Sequence, residues 1–241
     1  AASVIEPATQ TTSVGPQKIH AGDLDFLEVL TPGARETDTL PMIVAVHGMG
    51  DRPENWLDFF VTFPVPARVY FPRAPEPYGD GSSWFTYPPK SAEDLAAGIA
   101  KAGDRVAAAI AELAKTKTRG KPILMGFSQG GFVSFDVAVH HPEVIDAAFP
   151  MSGGLPDALF PHTEEEARLT APIFATHGTA DRMVPIAMSR DAIAKIVSLG
   201  GRAVLKEYPG AAHTITPAMH EEISRQIAER LRSKEASGDG G

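Results

Sequence analysis

The sequence predicts a single α/β domain in which a mostly parallel sheet is covered by helices on both faces. Short apolar runs alternate with longer helical patterns along most of the chain. The 241 residues fit one domain, and neither an internal repeat nor a change of composition divides them. Such alternation is typical of parallel sheets, because the crossover between two parallel strands usually contains a helix.

Short apolar runs bounded by turn residues predict the strands. Continuous runs such as MIVAVH indicate strands that are buried on both faces of the sheet. The predicted strands are residues 25–30, 42–47, 68–71, 123–127, 147–151, 173–177 and 203–208.

Helical patterns lie between and after these runs. The first begins at Ser91, whose hydroxyl is placed to cap the amide of Asp94. Apolar residues then recur at three- and four-residue spacing as far as Leu113, which is one apolar face of a long helix. The other predicted helices are residues 131–140, 186–199 and 217–231.

Both ends of the chain are predicted to be flexible. Residues 1–17 are polar without periodicity, and residues 234–241 are rich in Ser, Gly and Asp. Residues 18–233 hold every predicted element and form the expected domain. The chain begins with Ala1 rather than Met and carries no signal peptide, so a cytoplasmic location and export after removal of a leader are both open.

Composition excludes several classes of function. The chain has no cysteine, which rules out disulfides, thiolate metal sites and a cysteine nucleophile. Its net charge of −8 repels phosphate backbones. No apolar run reaches the roughly 18 residues that a membrane-spanning helix needs. We therefore expect no nucleic-acid partner, no integral membrane association, and no metal or other cofactor; a homodimer stays open.

The segment GFSQG at residues 126–130 matches the pattern G-x-S-x-G. It follows a predicted strand and precedes a predicted helix, which is the setting of a nucleophile elbow in the α/β-hydrolase fold. In so tight a turn, side chains at Gly126 and Gly130 would clash, and the serine is held in strain with its hydroxyl exposed. We predict that Ser128 is the nucleophile; the simpler alternative is a turn residue before a helix.

A serine nucleophile needs a base, and the base needs an acid to orient it. In this fold the chain order is Ser, acid, His. His213 follows a predicted strand and a Pro-Gly turn, whereas His220 falls inside the last helical pattern, so His213 is the predicted base. Asp181 lies on the loop after the preceding strand and is the predicted acid.

The segment HGMGD at residues 47–51 follows the second predicted strand, where the fold draws one backbone N–H for the oxyanion hole. Met49 is the predicted first donor, and Gln129, which follows the nucleophile, is the second. The two glycines let the backbone turn inward. We expect His47 and Asp51 to brace the loop.

The motifs HGMGD, GFSQGG, MSGGLP, HGTADRMVP and AAHTI together resemble those of the phospholipase/carboxylesterase family, which includes acyl-protein thioesterases. The likeness extends over residues 41–231; it departs at Ala212, where the family commonly has glycine. The resemblance implies a compact α/β-hydrolase without a large cap. It also implies a serine esterase that acts on esters or thioesters of short to medium acyl chains. Ser128, Asp181 and His213 match the family's triad, and Met49 and Gln129 match its oxyanion donors.

The predicted function is therefore a serine carboxylic-ester hydrolase that works through an acyl-enzyme intermediate on a small-molecule ester or thioester. A lysophospholipase and an acyl-protein thioesterase are the alternatives within this class. From another class, a non-catalytic binding protein on the hydrolase fold stays open, because fold alone does not prove function.

The predicted substrate contacts lie on loops that could line an acyl channel, although each is also a plausible core residue. The Pro- and Gly-rich residues 72–89 are predicted to form a long irregular loop that selects the acyl chain. The predicted contacts are Trp84, Phe85, Leu155, Met183 and Val184.

Overall fold

An eight-stranded sheet forms the centre of the computed structural model, which describes residues 15–237. Its strands lie in the order β1-β2-β4-β3-β7-β8-β9-β10. The first two neighbouring pairs are antiparallel, and all the others are parallel. The strands are β1 (Gln17–Ala21), β2 (Leu24–Leu30), β3 (Leu40–Val46), β4 (Arg68–Pro72), β7 (Thr118–Phe127), β8 (Ala147–Met151), β9 (Ile173–Gly178) and β10 (Ala203–Tyr208). A separate hairpin consists of β5 (Glu76–Tyr78) and β6 (Gly81–Ser83).

Helices cover both faces of the sheet, as the sequence predicts. On one face, α1, α2 and α4 bury apolar side chains such as Ile99, Val133 and Ile196. On the other face, α5 and a 3₁₀ helix do the same with residues such as Ile223 and Trp56. The helices are α1 (Ala92–Leu113), α2 (Gln129–His140), α3 (Glu164–Leu169), α4 (Ala187–Ser198) and α5 (Pro217–Ser237), with 3₁₀ helices at Pro53–Phe60 and Asp157–Leu159. No large cap is inserted within the described residues.

The predicted elements are confirmed with small changes at their ends. Ser91 caps α1 as expected, because its hydroxyl oxygen accepts the Asp94 N–H at 3.1 Å. Strand β7 begins at Thr118, five residues before the predicted start at Ile123, because its polar first residues pair with the start of β3. Helix α5 runs to Ser237, so the first residues of the tail that was expected to be flexible are helical.

The prediction that residues 72–89 form an irregular loop is wrong, because this segment contains the hairpin β5–β6. Strand β1, helix α3 and the two 3₁₀ helices are also absent from the sequence prediction. Strand β1 pairs with β2 along its whole length, from Gln17 opposite Glu28 to Ala21 opposite Leu24. Most of the segment 1–17 that is predicted to be flexible lies outside the described residues, as do the last residues of the chain.

Candidate active site

Ser128 sits at the turn between β7 and α2 with a strained backbone. Its φ is +57°, in the left-handed region that non-glycine residues rarely occupy. A Cβ at Gly126 would lie 2.2 Å from the carbonyl oxygen of Gly130, and one at Gly130 would lie 2.0 Å from that of Val46. Both distances are far below contact, so glycine is required at each side of the serine, as the elbow motif predicts.

The structure brings Ser128, His213 and Asp181 into one chain of hydrogen bonds. The Nδ1 of His213 donates to a carboxylate oxygen of Asp181 over 2.7 Å. The other ring nitrogen, Nε2, is then the acceptor and lies 2.9 Å from the Ser128 hydroxyl oxygen. The imidazole therefore has the tautomer that a general base for serine needs.

Asp181 is buried, and the protein satisfies its carboxylate on both oxygens. One oxygen accepts the backbone N–H groups of Met183 and Val184, each at 2.9 Å. The other accepts from His213. Burial alone would raise the pKa of the Asp181 carboxyl, but these hydrogen bonds outweigh it and hold the pKa below its usual value. The acid is therefore ionised beside the imidazole at neutral pH.

A second histidine, His177, lies behind the acid and is fully buried. Its Nε2 donates to the carbonyl oxygen of Val184 at 2.9 Å and lies 3.3 Å from Asp181. Its Nδ1 is 2.8 Å from the hydroxyl of Ser189. Burial lowers the pKa of His177. His177 therefore holds the loop that carries Asp181.

The loops that carry the acid and the base are joined directly. The N–H of Ala180 donates to the carbonyl oxygen of Ala211 at 2.9 Å. A Cβ at Gly178 would lie 2.3 Å from that same oxygen, so the two loops can approach this closely only with glycine there. The His213 ring also packs on Phe127, with ring centroids 4.7 Å apart. These contacts fix the imidazole between the acid and the serine.

Two backbone N–H groups in the segments around Ser128 have no acceptor in the described part of the chain. Met49 lies in the turn after β3, and Gln129 is the first residue of α2. Neither N–H donates to another group within residues 15–237. The neighbouring Gly48 passes so close that a Cβ on it would lie 3.3 Å from the Cβ of Ser128. The two predicted oxyanion donors therefore come from segments that meet at the serine.

His47 and Asp51 have the bracing role expected for them. His47 is buried; its Nδ1 donates to the carbonyl oxygen of Gly48 at 2.7 Å, and its Nε2 accepts the N–H of Ala74 at 3.1 Å. Burial lowers the pKa of His47, which fits a neutral ring with one donor and one acceptor. The Asp51 carboxylate accepts from the indole N–H of Trp56 at 3.0 Å.

The residues predicted to contact substrate do not form one surface. Trp84, Phe85 and Leu155 are buried in the core. Met183 is 64% exposed on the loop after the acid, and Val184 beside it is half-buried. Of the five, only these last two present a side chain to solvent near Asp181.

Among the residues that the structure describes, no three His, Asp or Glu side chains cluster so that they could hold a metal ion. None of the described helices combines the length and the apolar character needed to cross a membrane.

The comparison with known proteins extends over most of the chain. Residues 25–231 match the sequence pattern of the family described as Phospholipase/Carboxylesterase. Carboxylesterase SOBER1 from Arabidopsis thaliana is 28% identical over 128 residues, which are 52% of this chain and 56% of that protein. Lysophospholipase-like protein 1 from Mus musculus is 30% identical over 126 residues, which are 51% of this chain and 52% of that protein. The chain thus spans about half the length of these two curated relatives.

The fold is shared with solved structures. The crystal structure of acyl-protein thioesterase 2 from Zea mays matches with a TM-score of 0.67 at 21% identity. The match covers 86% of this chain and 98% of that one.

Proposed function

Because this chain belongs to the phospholipase/carboxylesterase family of α/β-hydrolases, we propose that it is a serine hydrolase that cleaves carboxylic esters or thioesters of short to medium acyl chains. The observation that carries the proposal is the continuous hydrogen-bond chain from Ser128 through His213 to Asp181. A non-catalytic binding protein would have no need of a strained serine facing a correctly protonated imidazole.

Acylation begins when the Ser128 hydroxyl oxygen attacks the carbonyl carbon of the substrate. Its proton passes to Nε2 of His213, and the ionised Asp181 stabilises the imidazolium that forms. The N–H groups of Met49 and Gln129 bind the oxyanion of the tetrahedral intermediate. The imidazolium then gives its proton to the leaving alcohol or thiol, which departs and leaves an acyl-serine.

Deacylation repeats the same steps with water in place of the serine hydroxyl. His213 takes a proton from the water that attacks the acyl carbon, and the second tetrahedral intermediate uses the same two N–H groups. Collapse of this intermediate returns the proton to the Ser128 oxygen and releases the carboxylic acid. The proton from Ser128 leaves with the alcohol or thiol, and the attacking water supplies the proton that restores the Ser128 hydroxyl.

The openness of the site supports small substrates. The side chain of His213 is 18% exposed, so the base is reachable from solvent. Without a large cap over the site, a single short acyl chain has direct access, and activation by a lipid surface is not expected. The name of Lysophospholipase-like protein 1 keeps a lysophospholipase as an alternative activity. A thioesterase is the second alternative, because a thioester would give the same acyl-serine by the same steps.

Labelling of the serine tests the proposal. A fluorophosphonate should attach to Ser128 in the native protein, and Ser128→Ala should lose both the label and roughly a million-fold in turnover. Wild-type turnover in Ser128→Ala, or no labelling of the native protein, would reject the proposal in favour of a binding protein.

A series of p-nitrophenyl esters tests the acyl preference. Each buried methylene contributes about 0.8 kcal/mol, so kcat/KM should rise with chain length until the acyl site ends, and then fall. A maximum at long chains, or a requirement for lipid micelles, would instead favour the lysophospholipase alternative. Thioesters of the preferred acyl length then separate ester from thioester specificity.

A further inference from the structure

The side chain of Gln129 has contacts that the donation of a backbone N–H does not require. It is buried, with 5% of its surface exposed, and all of its polar contacts are made to residues 83–85. We propose that this amide, acting on residues 74–85, positions both donors of the oxyanion hole. The inference rests on the proposed function and adds a positioning residue to it. Residues 74–85 are called the strap below.

The amide of Gln129 is fixed in one orientation by the strap. Its Oε1 accepts the backbone N–H of Trp84 at 2.8 Å, and its Nε2 donates to the carbonyl oxygen of Phe85 at 2.9 Å. A flipped amide would place its NH₂ group against the Trp84 N–H and its oxygen against the Phe85 carbonyl oxygen. The backbone of the strap therefore selects one orientation of the amide. The Ser83 hydroxyl lies 3.0 Å from Oε1 and 2.8 Å from the carbonyl oxygen of Phe85, so these two acceptors share its one proton.

The same strap also holds the segment that carries Met49. The indole N–H of Trp84 donates to the carbonyl oxygen of His47 at 2.9 Å. The N–H of Gly50 donates to the carbonyl oxygen of Ser82 at 2.8 Å, and the Ser82 N–H returns a bond to Asp51 at 3.2 Å. The residues on both sides of Met49 are therefore bonded to the strap.

The contact between the strap and this turn leaves no free space. A Cβ at Gly81 would lie 2.3 Å from the carbonyl oxygen of Gly50, so the hairpin backbone rests directly on the turn. The ring of Tyr78 covers the other side of Gly50, 3.3 Å from the position that a Cβ would take there. Displacement of the hairpin must therefore displace the turn that carries Met49.

The arrangement makes one segment the common support of both donors. Gln129 belongs to the nucleophile elbow and Met49 to the turn after β3. These two segments are far apart in the sequence, so the chain itself does not hold them together. Oxyanion donors act only when they point at the position that the charged oxygen will take. A misplacement of about 1 Å in such a site lowers the rate by roughly a hundredfold. Loss of the amide contacts should consequently weaken transition-state binding without weakening substrate binding.

Gln129→Met tests the inference, because it keeps the approximate size of the side chain and removes its amide while the backbone N–H remains. We expect kcat on the best ester to fall by about 10- to 100-fold with little change in KM. An alkylboronic acid, which becomes a tetrahedral anion on the serine, should bind more weakly by a factor close to the fall in kcat/KM. Ser83→Ala removes one contact to the amide and should show a smaller change with the same signature.

Thr31→Val is the matched control. Thr31 is also a buried polar residue, and its hydroxyl contacts the backbone at Val65 and Ala67, both at 2.7 Å. It directly follows β2, next to the start of β4, whereas the strap follows the end of β4. This variant should lower the midpoint of thermal unfolding and leave kcat and boronate affinity unchanged.

The inference is overturned if Gln129→Met folds and loses thermal stability but keeps the native kcat and boronate affinity. If Gln129→Met does not fold, the same result in folded Ser83→Ala overturns it. A rise in KM at constant kcat also overturns it, since that would place the amide in substrate binding. Failure of the proposed function looks different, because the native protein itself would then neither hydrolyse esters nor take the fluorophosphonate.

Discussion

The carboxylate of Asp181 has different partners on its two oxygens, and this difference decides what an amide would do in its place. Oδ1 accepts two backbone N–H groups, whereas Oδ2 accepts from the imidazole. In Asp181→Asn the amide oxygen must occupy the first position, because only an acceptor satisfies both N–H groups. The NH₂ group is then turned toward His213 and forces the tautomer whose Nε2 carries a proton.

We therefore expect Asp181→Asn to fold and to lose about ten thousand-fold in kcat through the wrong imidazole tautomer. Circular dichroism checks the fold, and steady-state hydrolysis of a p-nitrophenyl ester checks the rate. Asp157→Asn, on an exposed 3₁₀ helix, is the matched control and should have the native rate. An active Asp181→Asn together with an inactive Asp157→Asn would assign the acid to Asp157.

Buried histidines make stability depend on pH. Burial lowers the pKa of both His47 and His177, so the folded protein keeps them neutral where the unfolded chain, with pKa values near 6.5, takes up protons. The unfolded state binds more protons below this pH, so the free energy of unfolding falls as the pH drops through about 6.5 and further toward the folded pKa values. Above pH 6.5 this contribution to stability is fully present.

His47→Gln should make this dependence shallower. The variant keeps an acceptor for the Ala74 N–H but has no titratable ring, so it loses one of the two contributions. Urea unfolding between pH 8 and pH 5 should show a slope smaller than that of the wild type by at most about 1.4 kcal/mol per pH unit. Equal slopes in the two proteins would mean that His47 takes up its proton in the folded state.

At the scale of elements, the nucleophile elbow depends on close backbone contacts that no side chain can replace. The Cβ of an alanine at position 130 would lie 2.0 Å from the carbonyl oxygen of Val46, which is part of β3 and cannot move alone. Gly120, in β7, also has a positive φ, but nothing lies within 4 Å of its Cβ position. Substitution of Gly130 therefore tests steric overlap, whereas substitution of Gly120 tests backbone strain alone.

Gly130→Ala should destabilise the protein by about 3 kcal/mol and abolish ester hydrolysis, because β3 and α2 must separate. Gly120→Ala should lower stability by only about 1 kcal/mol and keep the native kcat. Chemical denaturation and ester hydrolysis measure both effects. A native rate in Gly130→Ala would show that the elbow can relax without moving the serine.

Elements with a continuous apolar face can be predicted from this sequence, and elements held by polar contacts cannot. Strands β3 and β8 consist of buried residues throughout, and the apolar stripe of α1 is regular. The three residues of β5 are all exposed, and the hairpin is fixed by hydrogen bonds to the turn after β3. Strand β1 alternates exposed and partly buried residues at the edge of the sheet, so its pattern is weak.

The candidate site also has one part that the sequence predicts and one part, held by polar contacts, that it does not. Ser128, Asp181 and His213 can be found from a motif and from their order along the chain. The contacts of Gln129 with residues 83–85 cannot, since amide and hydroxyl groups that meet across the fold leave no periodic signal in the sequence. Trp84 and Phe85 are conspicuous in the sequence as aromatic loop residues, yet their side chains are buried.

At the scale of the whole molecule, every role in the proposed cycle belongs to a group of the chain itself. In that proposal Ser128 acts as the nucleophile, His213 transfers protons, and backbone N–H groups bind the oxyanion. We therefore expect hydrolysis to be unchanged after prolonged dialysis against EDTA. Activity that disappears on chelation and returns with one divalent cation would contradict this assignment. Parallel measurement of the unfolding midpoint separates loss of fold from loss of chemistry.

Ser128 and His213 stand 85 residues apart in the sequence, and the loop that carries the acid lies between them. They meet only after β7, β8, β9 and β10 have paired side by side, which requires a succession of long-range crossovers. Helices form early from local contacts, whereas pairing between distant strands is slow. After dilution from denaturant, recovery of ester hydrolysis should thus lag behind recovery of the helical signal. Enzymatic turnover then serves as a late reporter of refolding, complete only when the last strand has been added to the sheet.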